Sequence, residues 1–323
     1  MGETANIAKM ADKLSEELFG EFLWERTGPA NVNWPCEEES HAAPTHPSDV
    51  VFYYNEPYAR SRTYVNCDVK SYKTGSINVA AVRSACESLA RSINCAEKSE
   101  QWRKLFMHDS MQAQICGLLF IYNHDGAYDK DFSNLLLRIE HKKLDLPPGG
   151  KIFVFGPDDI FWLNNIRYEI VQMRGRGELP PKDKCRFFYP HLVLRKKIQG
   201  TSARAATLET LTGPWIIMEY DNPDDLTKPY YVIFYRRSGR QVEEFLYLID
   251  CLLHYQVVKG RGNVRIRALN PDAAAPALFE KAVTQYVDAC DGPVEFKAQL
   301  SSISFSRIPQ VVATFSDIEI GMG

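Results

Sequence analysis

Very little in this chain announces a compartment or a partner. No stretch reaches the ~18 consecutive apolar residues of a membrane span. The N-terminal residues carry Asp12, Glu16 and Glu17 where a secretory leader needs an apolar centre. Both absences lead us to expect a cytoplasmic protein with no membrane attachment. The net charge is only −3, so any surface for nucleic acid has to be a local basic patch or be completed by another subunit. Eight cysteines are present (Cys36, Cys67, Cys86, Cys95, Cys116, Cys185, Cys251 and Cys290), but no two form a Cys-x-x-Cys pair. They read as reduced core residues of a cytosolic protein and not as a disulfide or zinc framework. The C-terminal part has no nucleotide loop, no Gly-x-Ser-x-Gly and no zinc spacing.

What is there begins with composition: 45% hydrophobic and 24% charged residues are those of an ordinary globular protein, and 323 residues are enough for two domains. The most informative stretch is residues 47–72. Residues 50–54 and 63–72 are rich in β-branched and aromatic side chains, with Asn55-Glu56-Pro57 and Arg60-Ser61-Arg62 between them, and this pattern predicts a β-hairpin. Asp49 stands at the head of the first strand. Asp68 and Lys70 lie two apart on the second, so their side chains leave one face, while Val65, Cys67 and Val69 take the other. Two carboxylates and an amine among apolar neighbours cost stability unless a cation and hydrogen bonds satisfy them.

Two further acid-x-Lys triplets occur. Glu140-His-Lys142 closes a helix-like run with no strand to sit on, and Glu295-Phe-Lys297 follows an alanine-rich helical run that Asp272 caps. Only the Asp68 triplet has strand, turn, strand and helix in order.

That order resembles the PD-(D/E)xK nuclease superfamily: a helix bearing a glutamate, a strand opened by aspartate, a second strand carrying acid-x-Lys, and a helix after it. The residues that match are the helix before Gly28, Asp49, Asp68-Val69-Lys70 and the helix around residues 77–95. The usual Pro-Asp pair is split as Pro47-Ser48-Asp49, and the middle acid is Asp68 where Glu is commoner. The resemblance implies a restriction-endonuclease-like mixed α/β sheet flanked by helices. It implies Mg²⁺ (or Mn²⁺) held by Asp49 and Asp68, Lys70 at the attacking water, and a helix glutamate, Glu17 or Glu21 with Glu17 preferred, assisting at the metal. It further implies an endonuclease hydrolysing phosphodiester bonds of DNA, in the setting of bacterial anti-phage defence. The alternative is a catalytically inactive nuclease-fold scaffold or nucleic-acid-binding subunit of a multi-protein complex, and either reading leaves room for a second protein subunit or a homo-oligomer.

Residues 6–26 have a helical pattern, with Met10, Leu14, Leu18 and Phe22 forming a stripe and Glu17 and Glu21 on its flank. Residues 32–47 read as a loop without a packed element. His41 and His46 lie near Asp49 there, but no third ligand follows at fixed spacing. Helix 77–95, strands 115–123 and 151–155 and helix 160–173 complete an alternating α/β pattern, with Asp125, Asp158 and Asp159 at strand ends as secondary candidates. Arg174, Arg176, Lys182 and Lys184, with Arg195 and Lys196 at the end of a strand over 187–193, make the best phosphate-contact patch. Residues 199–212 read as a connector. We therefore expect a nuclease-like domain over 1–200 and a smaller α+β domain over 201–323 for binding or interaction. Its elements would be strands 215–220 and 230–236, helix 242–258, strand 263–269, helix 275–289 and strands 294–300 and 311–320. Its basic segment, with Arg265 and Arg267 on one strand face, either extends a nucleic-acid groove or is a solvated sheet or protein interface.

Overall fold

A computed structural model describes residues 9–41, 43–108, 111–140, 143–190, 204–290 and 292–322. The N-terminal helix covers residues 9–21 and passes through a π-helical turn, Leu14–Leu18. Met10, Leu14, Leu18 and Phe22 are all buried. A spacing of four drifts around an ordinary α-helix, and the wider π turn keeps this column in line. The helix ends sooner than its pattern suggested. Leu23 takes a left-handed conformation (φ 65°), and the chain re-emerges as strand β1, Glu25–Thr27.

Strands β2 (Val32–Pro35) and β3 (Thr45–Ser48) then pair antiparallel, Val32 opposite Ser48 and Pro35 opposite Thr45. This corrects the loop expected over 32–47. Its prolines and acids hid the fact that Trp34, His46 and Ser48 point inward from alternating positions; Trp34 is fully buried and its Nε1 donates to Ser48 Oγ at 3.1 Å. The predicted hairpin is present as β4, Val50–Asn55, antiparallel to β5, Ser61–Tyr72.

Helix α1, Val79–Lys98, follows, and Asn78 Oδ1 caps it by accepting the Ala81 N–H at 3.0 Å. Its Val82, Cys86, Leu89 and Ile93 are buried. Helix α2, Glu100–Phe106, adds Trp102 and Phe106 to the same core. Strands β6, Gln112–Asn123, and β7, Lys151–Phe155, continue the sheet in parallel, giving the order β1-β4-β5-β6-β7. Phe19 packs against Trp24, Phe52, Phe120 and Phe155 in an aromatic cluster. Helix α3, Pro157–Gly175, comes next.

A second five-stranded sheet is built from β8 (Cys185–Phe187), β9 (Trp215–Tyr220), β10 (Tyr230–Tyr235), β11 (Val264–Leu269) and β12 (Ser304–Ile308), in the order β12-β11-β10-β9-β8. Two of its pairings are antiparallel and two are parallel. Helices α4, Val242–His254, and α5, Ala275–Ala289, share one apolar core with the sheet through Phe245, Leu248, Ile249, Phe279 and Ala282.

Three strands expected from the sequence are corrected. Residues 294–300 form helix α6, Val294–Ser301, because Phe296 and Leu300 sit four apart behind Pro293, a helical and not a strand spacing. Residues 311–320 contain no strand: the Glu319 carboxylate accepts the Ala313 and Thr314 N–H groups at 3.0 and 2.8 Å and closes a loop instead. The strand expected over 187–193 is β8, which begins two residues earlier and ends at Phe187; residues 191–193 lie outside the described residues. The chain forms two compact units, residues 1–164 with 312–323, and residues 165–311. The expected boundary at residue 200 lies outside the described residues.

Gly28 has φ +64°, and a Cβ there would stand 2.4 Å from the Phe106 ring and 2.6 Å from the Leu105 carbonyl oxygen. Gly28→Ala is therefore expected to destabilise the protein by roughly 2–4 kcal/mol, as left-handed strain and overpacking add. Urea denaturation measures this, and a midpoint equal to wild type would refute it.

Candidate active site

Strand β4 reaches only as far as Val50, which pairs with Cys67 of β5. The next residue back, Asp49, is a bend, and the chain leaves through β3 into the small two-stranded sheet. The bend is held by the Asn31 N–H, which donates to the Asp49 carbonyl oxygen at 2.8 Å. Strand β5 runs on without its β4 neighbour. A buried strand N–H left without an acceptor costs about 1–3 kcal/mol, and here the side chain supplies the acceptor: Val69 N–H donates to Asp49 Oδ2 at 2.7 Å.

This bond draws a carboxylate that is only 6% exposed up to β5, where Asp68 and Lys70 leave the sheet on one face. Lys70 Nζ donates to Asp68 Oδ1 at 2.6 Å, and the Asp49 and Asp68 carboxyl groups are in hydrogen-bond contact. The three residues singled out from the hairpin pattern are thus brought together. Burial, and next the negative charge of Asp68, push the Asp49 carboxyl up from 3.8 to about 6. Burial alone would lower the Lys70 amine, but the charge and hydrogen bond of Asp68, with the charge of Asp49, outweigh it and raise the amine above its ordinary value. The Lys70 side chain is 33% exposed, so the trio is open on the lysine side.

Two hard carboxylates pressed together, one of them deeply buried, form the donor set that a small oxygen-seeking dication fits. Such an ion would remove the repulsion that holds Asp49 near half-ionisation at mildly acid pH.

The other sequence candidates make contacts of their own. Glu17 sits on the π turn, and Lys13 Nζ donates to its Oε1 at 2.9 Å. Asp125 accepts the Thr74 N–H and hydroxyl, at 3.1 and 2.7 Å to the nearer oxygens, and these bonds hold its carboxyl well below the usual range; it closes a turn. Asp159 accepts the Gly156 N–H at 3.1 Å at the start of α3. In the second unit Arg176 bonds Glu169 at 3.2 Å and Glu178 at 2.5 Å. Arg174 is in the last turn of α3, and Lys182 and Lys184 belong to a short 3-10 turn in which Lys184 is exposed. Arg195 and Lys196 lie outside the described residues. Arg265 and Arg267 point back into the fold: Arg265 donates to the Glu178 carbonyl at 2.7 Å, and Arg267 pairs with the buried Glu169 carboxylate. What escaped the sequence reading is the strand that delivers Asp49. Its signal was the inward alternation of His46 and Ser48 around Pro47.

Ionisation of Asp49 should be measurable as stability. A carboxyl whose pKa is 3.8 unfolded and about 6 folded keeps its proton more tightly when folded. The metal-free protein therefore loses stability as pH rises from about 4 to 6, and the penalty is complete above that range. Asp49→Asn, which retains an oxygen for Val69, is expected to stabilise metal-free protein at pH 7.5 by on the order of 1–3 kcal/mol, a margin that closes near pH 4. Thermal denaturation across that range in EDTA tests this; a margin that does not change with pH would contradict it.

Residues 1–159 match the family model described as the GAPS4 protein PD-(D/E)XK nuclease domain. No curated protein and no solved structure matches the chain. The matched segment contains Glu17, Asp49, Asp68 and Lys70. Residues 1–159 belong to the PD-(D/E)XK nuclease domain of GAPS4, an anti-phage defence protein family.

Proposed function

We propose that the chain is a metal-dependent nuclease that cuts DNA as a defence effector, with Asp49, Asp68 and Lys70 as its working groups. One observation carries this: a buried aspartate, held by a strand N–H, meets the acid of an acid-x-Lys pair whose amine is already in contact with it. Asp49 and Asp68 would hold Mg²⁺ or Mn²⁺, which when bound lowers the pKa of water and neutralises charge on the scissile phosphate. The residues themselves do the positioning. Asp49 is fixed by Val69 N–H, so its other oxygen is presented in one direction. Lys70, with its pKa raised, is a resting ammonium. Beside the metal it would orient or help deprotonate the attacking water and offset negative charge developing on the phosphate. Glu17 would assist through a second metal or a water, its carboxylate bonded by Lys13.

In the domain division that goes with this proposal, the N-terminal part cuts and the C-terminal α+β part binds DNA or a second subunit. Arg174, Lys182 and Lys184 would be phosphate contacts, proposed together with Arg195 and Lys196, which lie outside the described residues. Arg176 contributes less, because Glu169 and Glu178 already neutralise it. A second reading, a nuclease-fold scaffold or nucleic-acid-binding subunit, draws on the same neutralisation. Arg186 pairs with Glu219 and Asp221, and Arg265 and Arg267 with Glu178 and Glu169, so a partner that supplies positive surface would complement this chain.

A nicking assay on supercoiled plasmid with Mg²⁺ or Mn²⁺, alone and with EDTA, separates the two. Lys70→Ala and Asp68→Ala are each expected to lower cleavage at least about a hundredfold while circular dichroism stays native. Undiminished cleavage by purified Lys70→Ala protein would refute the assignment.

A further inference from the structure

The β2–β3 hairpin brings together four side chains that have no part in the nuclease trio. Cys36 follows β2, His41 lies in the connecting loop, His46 is on β3 and Cys95 is in the last turns of α1. One ligand-capable atom from each lies within 4.8 Å of all the others. Cys36 Sγ and Cys95 Sγ are 3.6 Å apart, and His41 Nδ1 is 3.4 Å from the first and 3.3 Å from the second. A tetrahedral zinc with Zn–S about 2.3 Å and Zn–N about 2.05 Å has S···S edges of about 3.8 Å and S···N edges of about 3.6 Å. The three edges among Cys36, Cys95 and His41 match these to about 0.3 Å, and His46 brings its ligand atom within 4.8 Å of each.

Two further observations point to a ligand. His41 and His46 are 9% and 4% exposed, yet His46 Nε2 has no hydrogen-bond partner among the described residues, an expensive state for a buried ring nitrogen. On the other side, His41 Nε2 bonds Asp145 Oδ2 at 2.9 Å, and Asn94 Nδ2 donates to the second oxygen of that carboxylate at 3.0 Å. This bond sets the tautomer: with the proton on Nε2, the Nδ1 lone pair faces the two sulfurs. Carboxylate, imidazole and ligand position in a row are the outer shell that metal-bound histidines use. The Trp34 ring beside His46, 5.1 Å between centroids, walls the site with apolar surface.

We infer that Cys36, His41, His46 and Cys95 form a structural zinc site. Two sulfurs and two imidazoles in a tetrahedral arrangement select zinc over harder ions. Binding releases the two thiol protons, and two thiolates with two neutral imidazoles leave the site without net charge. All four protein ligands are present, so the site is closed and holds structure instead of doing chemistry. It ties the hairpin to α1. His46 is three residues before Asp49 and α1 follows the strand that bears Asp68 and Lys70, so zinc would pin the segment that delivers the catalytic aspartate. The inference does not depend on nuclease activity.

The test is metal content of the full-length, tag-free protein expressed with added zinc. About one zinc per chain is expected, falling below about a tenth in Cys36→Ser and Cys95→Ser and unchanged in Asp49→Asn and Cys67→Ser. Replacement by Co²⁺ should give the intense visible bands of a tetrahedral thiolate site. So that the test does not depend on the folding of the serine variants, wild-type protein supplies a second measurement: Cys36 and Cys95 should resist alkylation with zinc bound and react after chelation. Three results would overturn the assignment: absence of zinc with equal alkylation of both cysteines with and without added metal; a Cys36–Cys95 disulfide in non-reducing peptide maps; or zinc lost from Asp49→Asn but retained by both serine variants.

Discussion

The N-terminal architecture turns on the bond between Val69 N–H and the Asp49 carboxylate. Strand β5 is longer than its neighbour β4, and where β4 stops a backbone donor needs an acceptor. Asp49 supplies one, and so a negative charge is held inside the sheet edge and beside a second carboxylate. A neutral acceptor such as Asn would satisfy the same donor without repelling Asp68. The retained acid is a local conflict of the kind that marks functional sites, and the Lys70 ammonium on Asp68 relieves only part of it.

Much of this site was legible because it depends on period-two arithmetic along a single hairpin. Asp68 and Lys70 had to share a face once residues 63–72 were a strand, and Asp49 had to lie near them once the strands paired. The helix Val79–Lys98 was equally plain from its buried stripe. What could not be read was anything set by distant partners. Residues 32–48 look like a loop because Pro35, Pro44 and Pro47 interrupt every strand signal, and only the burial of Trp34 under α1 and α2 makes them an element. Cys95 lies far along the chain from Cys36, so no spacing rule joins them. In the second unit the basic residues looked available for phosphate because Glu169 and Glu178 sit on a different element from Arg265 and Arg267. Residues 294–300 went wrong for a more local reason, since a short apolar segment carries both periods and Pro293 decided for the helix.

The parts of the N-terminal unit support one another in order. The π turn aligns the buried column of the first helix, the hairpin of β2 and β3 packs Trp34 into the core, and the bend after β3 sets Asp49 against β5. A zinc at the Cys36–Cys95 cluster would act at the start of that series, by fixing the hairpin to α1, whereas an oxygen-liganded dication would act at its end. The two sites have different donor chemistry, sulfur and nitrogen against carboxylate, and therefore different metals and different dependence on each residue.

The central claim is that Asp49 and Asp68 together hold a divalent cation beside Lys70. Manganese binding followed by electron paramagnetic resonance, on zinc-saturated full-length protein, tests it most directly. Wild-type protein is expected to bind Mn²⁺ with loss of the free-ion signal, and Asp49→Asn and Asp68→Asn are each expected to abolish that binding. Equal Mn²⁺ binding by wild-type and both variants would contradict it.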